Sequence, residues 1–191
     1  MEDLSSVVLE GAMIAGVLET AINSDLPGYV RAIVSDNVRS FDGTRVLIAR
    51  GSRLVGQYRS GLAIGESRAF VIWTRLVLPD GVSVNLASPA TDTLGRSGLS
   101  GKVDRHFVQR FGSAILLSVI GAGLDAAVDN SDNQVVIGSS SDAYSIAQAA
   151  LQGNINIPPT IKIAQGSPVR IFVARDLYFP NAPKSAQPEL R

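Results

Sequence analysis

The stretch Ala69-Phe-Val-Ile-Trp-Thr-Arg-Leu-Val-Leu78, followed by Pro79-Asp-Gly81 and Val82-Ser-Val-Asn-Leu86, decides the fold class. The last segment alternates apolar and polar residues strictly, which is the period of a half-buried strand. The first is apolar on both parities, with Phe70, Ile72 and Leu76 on one and Val71, Trp73 and Val77 on the other. That pattern predicts a strand covered on both faces. Between the two, Pro79 presets φ and Gly81 accepts a positive φ, so the whole stretch reads as a hairpin.

Working outward, the pattern from Gly11 to Leu86 is mostly strand. Arg45 to Ala49, Gly51-Ser52, then Arg53 to Tyr58 reads as strand, turn and strand. The same Gly-Ser solution returns in Ile161-Lys-Ile-Ala-Gln-Gly166-Ser167-Pro-Val-Arg-Ile-Phe-Val173. Two copies make a recurring turn rather than a repeat array. Strands are expected near Val30, Val46, Leu54, Val71, Val84, Ile161 and Ile171. Residues 87–101, ASPATDTLGRSGLSG, are Gly/Ser-rich and read as an irregular loop.

Composition narrows the function. The 191 residues suit one domain or two small ones, and 46% apolar with 18% charged residues can fill a core. Seventeen basic side chains against seventeen acidic ones leave no global field to hold a nucleic-acid backbone. The absence of cysteine excludes a disulfide framework, a thiolate zinc site and a cysteine nucleophile, and a single histidine, His106, excludes a His-rich metal site. The start, MEDLSSVVLEGAMIAG, lacks the basic stretch and small-residue cleavage pattern of a secretory signal. The expectation is a cytoplasmic protein or the excised part of a longer exported one.

Two short motifs fail on spacing. Gly98-Leu-Ser-Gly101-Lys102 resembles a phosphate loop, but Arg96 stands where the first glycine belongs and Val103 replaces Ser/Thr. Asp129-Asn-Ser-Asp-Asn133 resembles a calcium loop, but Gln134 occupies the glycine position and no glutamate closes the frame. His106 lies in no catalytic frame such as GxSxG, so a surface or interfacial role is expected. Asp25, Asp36 and Asp92 sit in turn-like contexts. No catalytic, metal or cofactor residues are assigned.

The periodicity changes after residue 103. Asp104 to Val128 has helical spacing, Asp129 to Asn133 breaks it, and a weaker helix follows from about Asp142 to Gln152 with Ser141 as cap and Gly153 as stop. Pro158-Pro159 returns the chain to strand. In the first helix Ala114, Ser118, Gly121, Ala122 and Asp125 form a narrow small or polar stripe. Phe111, Ile115, Leu116, Leu117, Val119, Ile120, Leu124 and Val128 supply a wide apolar arc, the reverse of a helix resting on a soluble domain. One reading is a core helix packed into the β-domain. The other is a lipid-facing helix whose stripe packs against copies of itself or lines a channel. The run Phe111–Leu124 is shorter than the ~20 residues of a conventional span, so the second reading needs many such helices in a ring across a thin bilayer. Lys102, Arg105, His106 and Arg110 precede the run and suit a headgroup layer.

An ordered set of segments closely resembles a known family: Leu18-Glu-Thr-Ala-Ile-Asn-Ser-Asp-Leu-Pro-Gly28, Gly51-Ser-Arg-Leu-Val-Gly56, Trp73-Thr-Arg75 with Pro79-Asp-Gly81, Gly95-Arg-Ser-Gly-Leu-Ser-Gly101, His106-Phe107 with Arg110-Phe-Gly112, and Gln165-Gly-Ser-Pro-Val-Arg-Ile-Phe-Val-Ala-Arg-Asp176. The chain resembles, over about residues 11 to 179, the C-terminal domain of the TrbI-like family, the VirB-ten channel subunit of type IV secretion systems. The resemblance implies a mainly β fold, a β-barrel with an inserted two-helix antenna, α+β overall. It divides the chain into a first barrel part at 1–103, the antenna hairpin at 104–152, closing strands at 153–179 and a tail at 180–191. It also implies a ring of copies in the cell envelope, periplasmic with outer-membrane-inserted helices, the full-length protein being anchored in the inner membrane. Its implied partners are a second core-complex subunit, a small lipoprotein, the outer membrane, and transported DNA or protein as transient cargo.

From the helical wheel, Phe111, Ile115, Leu116, Val119, Ile120 and Leu124 are assigned to lipid. Ala114, Ser118, Gly121, Ala122 and Asp125 are assigned to the pore or to helix packing, and Asp129, Asn130, Ser131, Asp132 and Asn133 to an extracellular tip. The alternatives are a soluble periplasmic β-barrel binding module with a buried helix and no pore role, and a hydrolase pairing His106 with a nearby aspartate.

Overall fold

The computed structural model describes residues 4–60, 65–112, 115, 118 and 157–179. After a 3-10 turn at Leu4–Ser6 come β1 (Val7–Val8), β2 (Met13–Leu18), β3 (Ile22–Asn23), β4 (Gly28–Val34), β5 (Val38–Arg39) and β6 (Val46–Ile48). They are followed by β7 (Arg53–Tyr58), β8 (Arg68–Ala69), β9 (Val71–Val77), β10 (Ser83–Thr91), β11 (Leu99–Ser100) and β12 (Lys102–Asp104). Beyond residue 159 lie β13 (Thr160–Ile163), β14 (Pro168–Phe172) and β15 (Leu177–Tyr178). Each expected strand position falls within one of these. Two compact units emerge, Met1–Val103 with Thr160–Arg191, and Asp104–Pro159.

The first unit is built on a closed barrel of six strands in the order β10-β14-β2-β4-β7-β9, and β9 pairs back onto β10. Every pairing is antiparallel. Alternate side chains point inward, as the pleat requires: Ile14 and Leu18 from β2, Val30 and Val34 from β4, Leu54 from β7, and Ile171 from β14 are all buried. Burying each such side chain contributes on the order of 1.5–3 kcal/mol. Trp73, fully buried, is the largest side chain of this core.

The apolar residues on both parities of Ala69–Leu78 do not cover two faces. Val55 pairs with Arg75 and Gly56 with Trp73, so Thr74 is an extra residue, a β-bulge. The bulge reverses the alternation: Val71 and Trp73 face the core before it, Leu76 after it, all fully buried. One interior face draws on both parities. The Thr74 hydroxyl donates to the Val55 carbonyl at 3.1 Å and holds the kink.

A second bulge, between Asn85 and Ser88, hides the true length of β10, which continues to Thr91. Ala87 takes a left-handed φ of 47° there. The alternation breaks, and Pro89 cannot donate to a ladder, which is why the sequence from residue 87 reads as loop. Leu99–Ser100 is also strand, paired with Ala69 and Arg68. The irregular part is confined to the turn around Asp92, whose carboxylate accepts from the Leu94 and Arg96 backbone N–H groups and from Arg96 Nε at 2.7 Å.

The Gly-Ser turns at Ala49–Ser52 and Ala164–Ser167 are equivalent. In each the Ser N–H bonds back to the Ala carbonyl, and glycine sits third with φ of 86° or 83°, as a type II turn requires. Gly51 N–H donates to the Val34 carbonyl and the Ser52 carbonyl accepts from Val34; Gly166 and Ser167 do the same with Leu18. A third copy, Leu9-Glu10-Gly11-Ala12, exchanges the same two bonds with Val173. The turns at Leu9–Ala12 and Ala164–Ser167 therefore clamp opposite ends of the β2–β14 pair.

Gly56 is needed for a different reason. A Cβ there would meet the Ile72 carbonyl oxygen at 2.6 Å and Trp73 Cε3 at 2.9 Å, so backbone and a locked indole would both have to yield. Gly56→Ala is expected to destabilise the barrel by about 1–3 kcal/mol, measured as a lowered midpoint of denaturant unfolding.

Asp92 carries a pH signature. Its burial works to raise the carboxyl pKa, but the hydrogen bonds from Arg96 and Leu94 and the Arg96 charge outweigh it and hold the pKa below the usual value. The folded carboxylate thus binds protons less readily than the unfolded one. Its stabilising contribution is present above the ordinary carboxylate range and is lost as pH falls through the folded pKa. Asp92→Asn should lower stability near neutrality and converge with the parent protein in acid, flattening the acid side of the stability profile, read by thermal melts from neutral to acid pH.

Candidate functional site

The sequence places its functional weight on the segment that follows β12. Asp104 ends that strand, and its Oδ1 accepts from the His106 backbone N–H at 3.0 Å. His106 adopts a left-handed φ of 50°, a conformation that non-glycine residues take sparingly. A helix opens at residue 107, its first turn closed by Arg110 N–H on the His106 carbonyl at 2.9 Å. The Asp104–His106 turn is thus a corner that redirects the chain from strand to helix.

On this helix Phe107 and Phe111, one turn apart, bring their rings within 5.0 Å, and the Arg110 guanidinium lies 5.5 Å from the Phe111 ring. Phe107 is 63% exposed, Val108 78% and Ile115 54%. The opening of this helix therefore carries large apolar side chains that are exposed. Among the described residues no helix is long and apolar enough to cross a membrane.

Of the residues assigned from sequence, Phe111, Ile115 and Ser118 are described, and all three are helical. Phe111 and Ser118 stand seven residues apart, which on an α-helix leaves them only ~20° out of line. Ile115, four residues from Phe111, stands ~40° to the other side, so Phe111 lies between the two assigned faces. The remaining assignments, Leu116, Val119, Ile120 and Leu124, Ala114, Gly121, Ala122 and Asp125, and the tip Asp129 to Asn133, lie outside the described residues. So do the second helix at 142–152 and the tail after Phe179.

An aspartate does stand beside His106, with Asp104 Oδ1 3.6 Å from Nδ1. The same carboxylate oxygen caps the turn, so the pair accounts for chain geometry. Among the described residues no group of three or more His, Asp or Glu side chains is placed to hold a metal ion. An open depression is lined by Glu66, Arg68, Phe70 and Ser97, with glycines at 65 and 98. It gathers no acid–base or nucleophile pair.

The chain is similar in sequence and fold to known proteins. Residues 7–179 fit the model of the bacterial conjugation TrbI-like proteins. The chain is 42% identical over 185 residues to the type IV secretion system protein virB10 of Bartonella henselae, covering 93% of this chain and 46% of that protein. It is 41% identical over 183 residues to the virB10 protein of Rhizobium radiobacter, and 44% identical over 177 to the type IV secretion system protein PtlG of Bordetella pertussis. These alignments cover 91% and 90% of this chain and 47% of each relative. ComB10 of the Com type IV secretion system of Helicobacter pylori shares the fold, with a TM-score of 0.59 at 21% identity over 95% of this chain and 94% of that one. The chain belongs to the TrbI-like family. It spans about half the length of the curated relatives it matches.

The left-handed turn gives His106 a conformational role. Asparagine tolerates left-handed backbone, whereas a β-branched residue there is strained by about 1–3 kcal/mol. His106→Asn should keep the melting temperature, and His106→Val should lower it. A His106→Asn protein as destabilised as the His106→Val protein would overturn the conformational role.

Proposed function

We propose that this chain is a structural, non-enzymatic component of a type IV secretion system core complex, in which copies assemble as a ring in the bacterial cell envelope. The observation that carries the reading is the family match across 7–179, joined to a helix whose opening exposes Phe107, Val108 and Ile115. An apolar helical surface of this kind needs a partner or lipid. In this reading 1–103 and 153–179 form the periplasmic barrel, and 104–152 is a two-helix antenna that enters the outer membrane with 129–133 at its tip. The antennae of neighbouring copies surround a pore for DNA or protein, and a second core-complex subunit and a small lipoprotein complete the ring. Family members are structural parts of secretion systems, which favours passage of cargo without chemistry. A soluble binding module with a buried helix fits less well, because Ile115 is exposed.

The two faces of the helix provide the test. Phe111, Ile115, Leu116, Val119, Ile120 and Leu124 face lipid, while Ala114, Ser118, Gly121, Ala122 and Asp125 face neighbours or the lumen, where an ionisable group finds water. Ile120→Arg places charge in hydrocarbon at a cost of about 2.5–3.5 kcal/mol and should block outer-membrane insertion. Ser118→Arg should instead insert and alter pore conductance or helix packing, with the barrel still folded. Normal insertion of Ile120→Arg together with failed insertion of Ser118→Arg would invert the faces. Cross-linking that yields only monomers in the native envelope would overturn the ring.

A further inference from the structure

The barrel exterior gathers arginines that the sequence keeps far apart. Arg31 of β4, Val55 of β7 and Arg75 of β9 stand in register across three strands, and Asn85 of β10 continues the row. Arg53 pairs with Ile33 on one side and Val77 on the other. It is therefore the diagonal neighbour of both Arg31 and Arg75. The row ends at Arg175, whose Nη2 donates to the Asn85 carbonyl at 2.7 Å. All four arginines are exposed.

One carboxylate meets this group: Glu19 accepts from Arg31 Nε and Nη2. The Arg53 and Arg75 side chains make no hydrogen bond or ion pair among the described residues. Like charges on neighbouring strands repel. The face is thus left with an uncompensated positive charge in a chain whose acidic and basic residues balance.

We propose that the outward face of β4, β7 and β9 docks an extended acidic segment of a partner protein. Diagonal neighbours on a sheet are separated by roughly 7–8 Å, and alternate residues of an extended peptide by about 6.7 Å. Carboxylates at every second position of such a segment therefore fall in step with Arg53 and Arg75, and guanidinium binds carboxylate in a planar fork. Val55, half-buried between Arg31 and Arg75, offers an apolar contact for the intervening residues. Single-stranded nucleic acid is the less suited ligand, since its bases need stacking platforms and Tyr29 is the lone aromatic residue turned outward on these three strands. The proposal concerns the barrel exterior and does not rest on the pore reading.

The test uses the 191-residue chain and a fluorescent peptide alternating Glu and Thr, with a Gln-for-Glu peptide and a single-stranded oligonucleotide as comparators. The expected result is saturable binding of the Glu peptide that weakens with added salt and is lost with the Gln peptide. Arg53→Glu with Arg75→Glu should weaken it by about tenfold or more, while Arg39→Glu, on β5, should not. Should the charge reversal impair folding, Arg53→Gln with Arg75→Gln removes the charge without opposing it and should also weaken binding. Equal binding of the two peptides, absence of binding, tighter binding of the oligonucleotide, or an unchanged affinity in the folded Gln variant would each overturn the proposal.

Discussion

Strand β14 holds the barrel shut, hydrogen-bonded to β2 on one side and β10 on the other. Without it the remaining five strands form an open sheet with two unpaired edges, and unpaired edges invite pairing with other chains. Yet β14 begins at residue 168, after the whole 104–159 segment. Closure therefore requires the ends of that segment to return close together. The fold meets this through β12 and β13, which are neighbours in a three-stranded sheet with β3. The chain leaves and re-enters on adjacent strands.

The same logic gives the glycine turns their importance. At each, two backbone bonds go to a single buried residue on the neighbouring strand, Val34, Leu18 or Val173. Two of the three flank the β2–β14 seam, where residues far apart in sequence must meet. Loop closure across such distances costs entropy that local structure must offset, and preset turns at both ends of the seam reduce the number of arrangements to be searched. The bulges serve the interior instead. They let β9 deliver Val71, Trp73 and Leu76 to one core, and Gly56 makes the room that the indole needs.

The described residues divide between a bonded barrel and a helix end that displays apolar side chains. Barrel residues are buried, bonded and specified by their neighbours, while the helix that opens at residue 107 displays Phe107, Val108 and Ile115. A neutral overall charge conceals a further division, because the outer row of Arg31, Arg53, Arg75 and Arg175 carries one compensating carboxylate, Glu19. An assembly component needs such surfaces more than it needs a reactive centre.

Local chemistry made much of this legible from sequence. Strand positions, the Pro79–Gly81 hairpin and the paired Gly-Ser turns follow from alternation and from φ preferences, which act between near neighbours. The family resemblance rested on the same segments. Three things were not legible. The bulges at Thr74 and Ala87 reverse alternation, so Ala69–Leu78 read as a two-faced strand and residues 87–91 as loop. The third turn, Leu9–Ala12, lacks the serine that marked the other two. The arginine face arises only from register between β4, β7 and β9, since Arg31, Arg53 and Arg75 belong to separate segments. By itself the sequence determined which segments are strands and turns, because those depend on steric and hydrogen-bonding preferences within a few residues. Only the tertiary structure decided which side of each strand meets the core and which charges stand together, because pairing register is set by long-range closure of the barrel.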